Sequence, residues 1–274
     1  MKKKIAALSM AACMAASVTA CGGSKPAETT AAATEAETTA AESAAEESSA
    51  EETKAAADIE TVTPGKLTVA TSPDFAPYEF YAIGEDGTPK LAGFDMDLAQ
   101  YIADYLGLEL EVVTVDFDGV ISELQTKSVD LGMAGLSPDE KRMGIMDFSD
   151  LYYMGGQSIV TVKDNAEKYN SFEAINKPDV SVGAQVGSIQ MDLANENSPE
   201  ADIVGLPKVT DIISELLTGK MDAAYIETDV AKSYQKNYPE LTLVMDVPYD
   251  AEGSAIGVCK GNELSLIHIS EPTR

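Results

Sequence analysis

The chain has 274 residues, enough for one large or two small domains, and a formal net charge of −27 from 46 acidic against 19 basic side chains. That balance excludes the clustered Lys and Arg that bind nucleic acid or an anionic membrane surface. One histidine, His268, and three cysteines, Cys13, Cys21 and Cys259, leave the main body without a histidine-based triad, a zinc site or a disulfide framework, so no cofactor, metal or catalytic residue is expected.

Lys2, Lys3 and Lys4 precede an apolar run over residues 5–18, which is too short to span a bilayer, and then the sequence VTAC. This start resembles a lipoprotein signal. The resemblance implies cleavage before Cys21, lipid on Cys21 and loss of Cys13. Residues 22–65 are runs of Ala, Thr, Ser and Glu that cannot bury a core. They are expected to form a flexible tether reaching on the order of 35–40 Å.

The folded part opens with KLTVATS, residues 66–72, an extended β-branched run that leads into an aromatic loop, PDFAPYEF. Residues 84–87 read as a hairpin turn. A helix follows with Phe94, Leu98, Ile102 or Tyr101, and Tyr105 on one face, and with Asp95 or Asp97 at its positive end. Residues 108–115 alternate as a strand. Residues 117–127 read as a helix packing Val120, Ile121 and Leu124, and residues 129–136 as a buried strand broken by Gly132 and Gly135. Strands alternating with helices at this spacing predict α/β layers with mostly parallel strands.

Arg142 is the only arginine before the last residue. A guanidinium offers a planar fork that matches a carboxylate with two hydrogen bonds, which the lysines elsewhere do not. Residue type alone leaves open whether Arg142 holds a ligand or is an ion-pairing residue in the charged turn of Asp139, Glu140 and Lys141. In parallel sheets, ligands sit beyond the carboxyl ends of the strands. Phe75 follows the first strand, Phe117 the third, and Ser137 with Arg142 the fourth.

Residues 154–163 read as an extended crossover, and a second α/β unit follows. Gly187 and Ser188 stand at a helix entrance. A helix runs through Leu217 to a stop at Gly219, then comes a short strand, a helix from Thr228, and a return strand ending near Asn262.

The segment from residue 130 to DFSDLYY, residues 147–153, with a small-residue loop before the arginine, resembles the polar amino-acid family of bacterial solute-binding proteins, the receptors of ABC importers. The resemblance covers residues 66–262 and implies a two-lobed type II periplasmic-binding-protein fold with two crossover hinge strands. Residues 66–155 form lobe 1, residues 156–244 lobe 2, and residues 245–263 a truncated return to lobe 1. It further implies that Phe75 and Phe117 sandwich the ligand, that Ala134, Gly135 and Ser137 line its amine and carboxylate, and that Arg142 clamps the carboxylate. In lobe 2 it implies Gln185, Gly187 and Ser188 at the helix entrance and Glu227 on the α-ammonium. Two positions depart from the pattern: Ile189 replaces a common threonine, and Glu227 is one methylene longer than the usual aspartate.

The function implied is a monomeric, lipid-anchored receptor that captures a free L-amino acid and hands it to a permease with its ATPase. Ser72 stands where lysine- and arginine-binding relatives often carry an acid, which favours a polar neutral cargo such as glutamine, with polar contacts from Gln185, Gln190 and Glu79. The alternatives are a cyclohexadienyl or arogenate dehydratase on the same fold, with Glu227 as proton donor, and a ligand-presenting sensor. Residues 264–274 resemble a translated sequencing adapter, so the natural carboxyl end is expected to be missing and His268 to have no role.

Overall fold

Thr68, Val69 and Thr71 favour extended backbone, and β1 (Lys66–Thr71) is buried at every position after Lys66. The structure, a computed structural model, describes residues 60–250 and 253–262. The signal, Cys21, most of the expected tether and the tail with His268 lie outside the described residues. Residues 60–65, grouped with the tether on composition, meet the first sheet, where the Val62 N–H donates to Asp130 Oδ1 at 2.7 Å.

Two five-stranded sheets share one plan. In the first, β1 lies between β5 (Glu109–Thr114) and β6 (Leu131–Gly132), followed by β13 (Ser254–Cys259) and the edge strand β7 (Met146–Tyr153). The second has the order β10 (Asp202–Leu206), β9 (Ser181–Gln185), β11 (Ala223–Glu227), β8 (Gln157–Val162) and β12 (Leu241–Val247). In each sheet the fourth strand, β13 or β8, runs antiparallel to both neighbours. Each of these strands follows directly on a crossing between the sheets. The chain passes from β7 to β8 through residues 154–156 and returns from β12 to β13, and the two passages lie side by side, with Tyr153 opposite Ser254 and Gln157 opposite Val247. A small antiparallel sheet of β2 (Asp74–Phe75), β3 (Glu79–Ile83) and β4 (Pro89–Ala92) completes the first lobe, its turn closed by Gly87 N–H on the Gly84 carbonyl at 2.9 Å.

Seven α-helices are described: α1 (Phe94–Tyr105), α2 (Phe117–Gln125), α3 (Glu140–Met143), α4 (Phe172–Ile175), α5 (Ile189–Asn197), α6 (Val209–Leu217) and α7 (Thr228–Asn237). In α6, Val209, Ile212, Ile213 and Leu216 recur at helical spacing and are all buried, each contributing about 1.5–3 kcal/mol. Gly219, at φ +71°, ends it by accepting the left-handed backbone that closes the last turn.

Helix α1 is rotated from the face expected by sequence. Asp95, Met96, Ala99, Ile102 and Ala103 are buried, whereas Phe94, Tyr101 and Tyr105 are 47%, 52% and 41% exposed. The small Ala99 and Ala103 let the helix axis approach Val69, Leu131 and Ile256 closely, which leaves the aromatics at the rim. The strand expected over residues 129–136 is also shorter. Only Leu131–Gly132 joins the ladder, and the rest is buried loop because Gly135, at φ +57°, turns the backbone away from the sheet.

Candidate ligand-binding site

Asp139 caps the short helix α3 by accepting the Arg142 N–H at 2.8 Å, and this points Arg142 inward, where it is 6% exposed. Each of its three guanidinium nitrogens has one partner. Nη1 donates to the Ser137 carbonyl at 3.0 Å, Nη2 crosses to the Gly187 carbonyl at 3.1 Å, and Nε lies 3.3 Å from Asp139 Oδ2. The Phe117 ring lies under the guanidinium, 5.5 Å from Cζ to the centroid. Burial lowers the guanidinium pKa, with Asp139 and Asp192 opposing the shift.

Gly187 adopts φ +75° at the turn into α5, where a Cβ would lie 3.1 Å from the Asp118 Cβ. Ser188 caps that helix. Its hydroxyl donates to the Gln185 carbonyl at 2.7 Å and accepts the Met191 N–H at 3.3 Å. Gln185 spends its amide on the Pro207 carbonyl at 3.0 Å, and Gln190 donates to Gln157 at 2.8 Å. Ile189 packs into the second lobe's core, which suits its replacing a threonine there.

Glu227 ends β11 and caps α7, its Oε2 accepting the Val230 N–H at 2.7 Å. Oε1 accepts a long hydrogen bond from Tyr78 in the first lobe at 3.4 Å. At 5% exposure, burial pushes the Glu227 carboxyl up to about 7. Tyr78 rises too, for the same reason and because Glu227 is beside it.

The structure thus brings Phe117, Ser137, Arg142, Gly187 and Ser188 into one group. A second group joins Phe75, Gly135, Tyr78 and Glu227. Phe75 packs on the Gly135 backbone, so close that a Cβ there would lie 2.8 Å from the ring, and stands 5.5 Å from the Tyr78 ring. Ala134 is buried between the groups along the same loop. Ser72 belongs to neither. Its hydroxyl donates to Asp74 Oδ1 at 3.0 Å, and it lines a recess of about 480 Å3 with Asp74, Tyr81, Asp116, Lys208 and Thr210.

Sequence reasoning did not single out Tyr78, Asp74 or Tyr153. Tyr153 donates to Asp229 in the second lobe, which pushes its hydroxyl up to about 12. All three lie in segments noted as aromatic, but period-based reading carries no information on contacts across the cleft.

Residues 67–263 match the bacterial extracellular solute-binding proteins, family 3. The chain belongs to that family. This solute-binding protein is 35% identical over 204 residues to the arginine-binding extracellular protein ArtP of Bacillus subtilis, covering 73% of this chain and 76% of ArtP. It is 29% identical over 180 residues to cyclohexadienyl dehydratase of Pseudomonas aeruginosa, covering 66% of each. Its fold matches that of an amino acid ABC transporter substrate-binding protein, AbpA of Streptococcus pneumoniae, solved with L-arginine bound. The TM-score is 0.73 at 32% identity, over 76% of this chain and 87% of that one. The architecture is accordingly the two-lobed type II periplasmic-binding-protein fold, and its relatives include amino-acid-binding proteins of ABC transporters.

Proposed function

We propose that this chain is the receptor of an amino-acid ABC importer, held at the membrane by lipid on Cys21, that closes its lobes on a free L-amino acid and presents it to the permease. The observation that carries the reading is the placement of a buried guanidinium, Arg142, on one lobe and a buried carboxyl, Glu227, on the other. A zwitterion supplies the opposite charge to each. Arg142 would turn its fork from the Ser137 and Gly187 carbonyls to the α-carboxylate, Glu227 would take the ammonium, and Phe75 and Phe117 would cover the side chain.

For the cargo we place a cationic amino acid, arginine first, ahead of the neutral one favoured by Ser72. Arginine-binding relatives support this. A thermal-shift panel of the common amino acids on the chain from Gly22 tests the reading. A stabilising ligand at about a thousand times its Kd adds roughly 4 kcal/mol. Arginine and lysine should shift the midpoint by several degrees, and no shift with any amino acid would contradict the receptor reading.

One observation favours a second reading. A carboxyl near neutrality in the cleft, Glu227, is what a dehydratase needs to protonate a leaving hydroxyl, and a relative carries that activity. Conversion of arogenate that is lost in Glu227→Gln would replace transport with catalysis. Incorporation of labelled lipid, abolished in Cys21→Ser, tests the anchor.

A further inference from the structure

Behind the Ala134–Ser137 loop lie two carboxyl groups closed off from solvent, one of them Glu79, whose complete burial denies it the polar contact to the ligand expected from sequence. Glu79 in β3 and Asp95 in the first turn of α1 are both 0% exposed. Gly93 brings them together. At φ +129°, a Cβ on residue 93 would stand 2.1 Å from the Tyr78 carbonyl oxygen, so only glycine lets the start of α1 dock on that strand. There the Pro77 and Tyr78 carbonyls accept the Phe94 and Asp95 N–H groups at 3.0 and 2.9 Å.

Asp95 Oδ2 accepts two hydrogen bonds, from the Gly135 N–H at 3.2 Å and from the Tyr152 hydroxyl at 3.0 Å. Among the described residues, no N–H or hydroxyl donor reaches Asp95 Oδ1 or either oxygen of Glu79. The Glu79 Cα lies 3.0 Å from where a Cβ on residue 93 would stand, two residues before Asp95, and the two carboxyl groups perturb each other's titration. The other titratable groups acting on them are Asp74 and Tyr152, neither of them a cation.

Two adjacent buried carboxylates without a cation cannot both ionise, and buried polar oxygens left without partners are costly. One proton resolves both problems. With Glu79 protonated, its O–H donates to Asp95 Oδ1, and Asp95 remains an anion whose Oδ2 draws in Gly135 and Tyr152. We propose that Glu79 and Asp95 share a single proton at neutral pH, and that the Asp95 carboxylate so formed is a positioning group that fixes the Gly135 N–H and with it the ligand loop. Burial favours this division, pushing Asp95 up to about 6 and Glu79 well above its ordinary value. The positioning half rests on the reading of residues 134–137 as part of the amino-acid site. The proton-sharing half does not.

Infrared difference spectroscopy on the chain from Gly22 at pH 8, after exchange into heavy water, reads the proton directly. A protonated-carboxyl band should be present in the wild type, persist in Glu227→Gln and vanish in Glu79→Gln. Its absence from the folded wild type overturns proton sharing, and this holds even if Glu79→Gln fails to fold. Arginine titration reads the positioning. Glu79→Gln, whose amide still donates to Asp95, should bind within threefold of the wild type from pH 6 to pH 8, while Asp95→Asn should bind at least tenfold more weakly. Asp95→Asn binding as tightly as the wild type overturns the positioning role. A wild type that binds no amino acid overturns the receptor reading and the positioning with it, while the infrared band still decides the shared proton.

Discussion

The Asp74 carboxylate of the first lobe accepts the N–H of Val209, the first residue of α6 in the second lobe. Tyr234, also in the second lobe, donates to the Asp74 carbonyl at 2.8 Å. Asp74 is thus a helix cap supplied across the cleft, formed only when the lobes are together. Lys141 with Asp192 at 2.8 Å and Lys208 with Asp116 at 3.6 Å also bridge the lobes, but these pairs are exposed and contribute little. Losing a cap costs about 0.5–2 kcal/mol.

Asp74→Ala should therefore penalise closure. The population of the closed form scales apparent affinity, so every ligand that binds the wild type should bind roughly two- to thirtyfold more weakly, with most of the change in dissociation rate. Stopped-flow dissociation of two ligands of different charge measures this. A loss confined to cationic ligands would make Asp74 a side-chain contact rather than a latch.

Glu227 predicts a pH effect on the unliganded protein. Its carboxyl is held up at about 7 against an ordinary value of 4.5, so between those values the folded state binds more protons than the unfolded state. Stability then falls as pH rises through that window, by on the order of 3 kcal/mol from this group. Glu227→Gln keeps a side-chain oxygen for the Val230 N–H and removes the penalty. Urea unfolding at pH 5 and pH 8 should show a smaller drop in the variant than in the wild type, while equal drops would contradict the assignment.

Gly93 and Gly219 separate steric from conformational demands. Both have positive φ, but a Cβ on Gly219 meets nothing within 4 Å, whereas one on Gly93 collides with the Tyr78 carbonyl. Gly219→Ala should cost about 1–2 kcal/mol. Gly93→Ala should cost more than that, because the start of α1 must move off β3. Chemical denaturation of the two variants makes the comparison, and equal costs would contradict the close docking of α1.

Much of the architecture was legible because it is local. Gly219 ending α6, Thr228 opening α7, and the β-branched run of β1 each follow from periodicity and backbone preference. The buried face of α1 differs from the one its apolar spacing predicts, because Ala99 and Ala103 rather than the aromatics set how close the helix comes. In the site, Arg142 stood out through its rarity, and the family resemblance supplied the other positions. Asp74, Tyr78 and the pairing of Glu79 with Asp95 stayed hidden because their meaning lies in contacts between elements; from sequence Glu79 reads as a polar contact for the ligand and Asp95 as a dipole partner. The partners of Gln185 and Ser188 were equally invisible, since the Pro207 carbonyl and the Met191 N–H are backbone groups.

The most direct test of the account is calorimetric titration of arginine into the wild type and Arg142→Ala at pH 7. Removing the guanidinium leaves a desolvated carboxylate unpaired, at a cost of about 2–5 kcal/mol, so binding should weaken by roughly 30-fold to a few thousandfold while the unliganded variant stays folded. Binding by Arg142→Ala as tight as the wild type would contradict the carboxylate clamp and the receptor mechanism built on it.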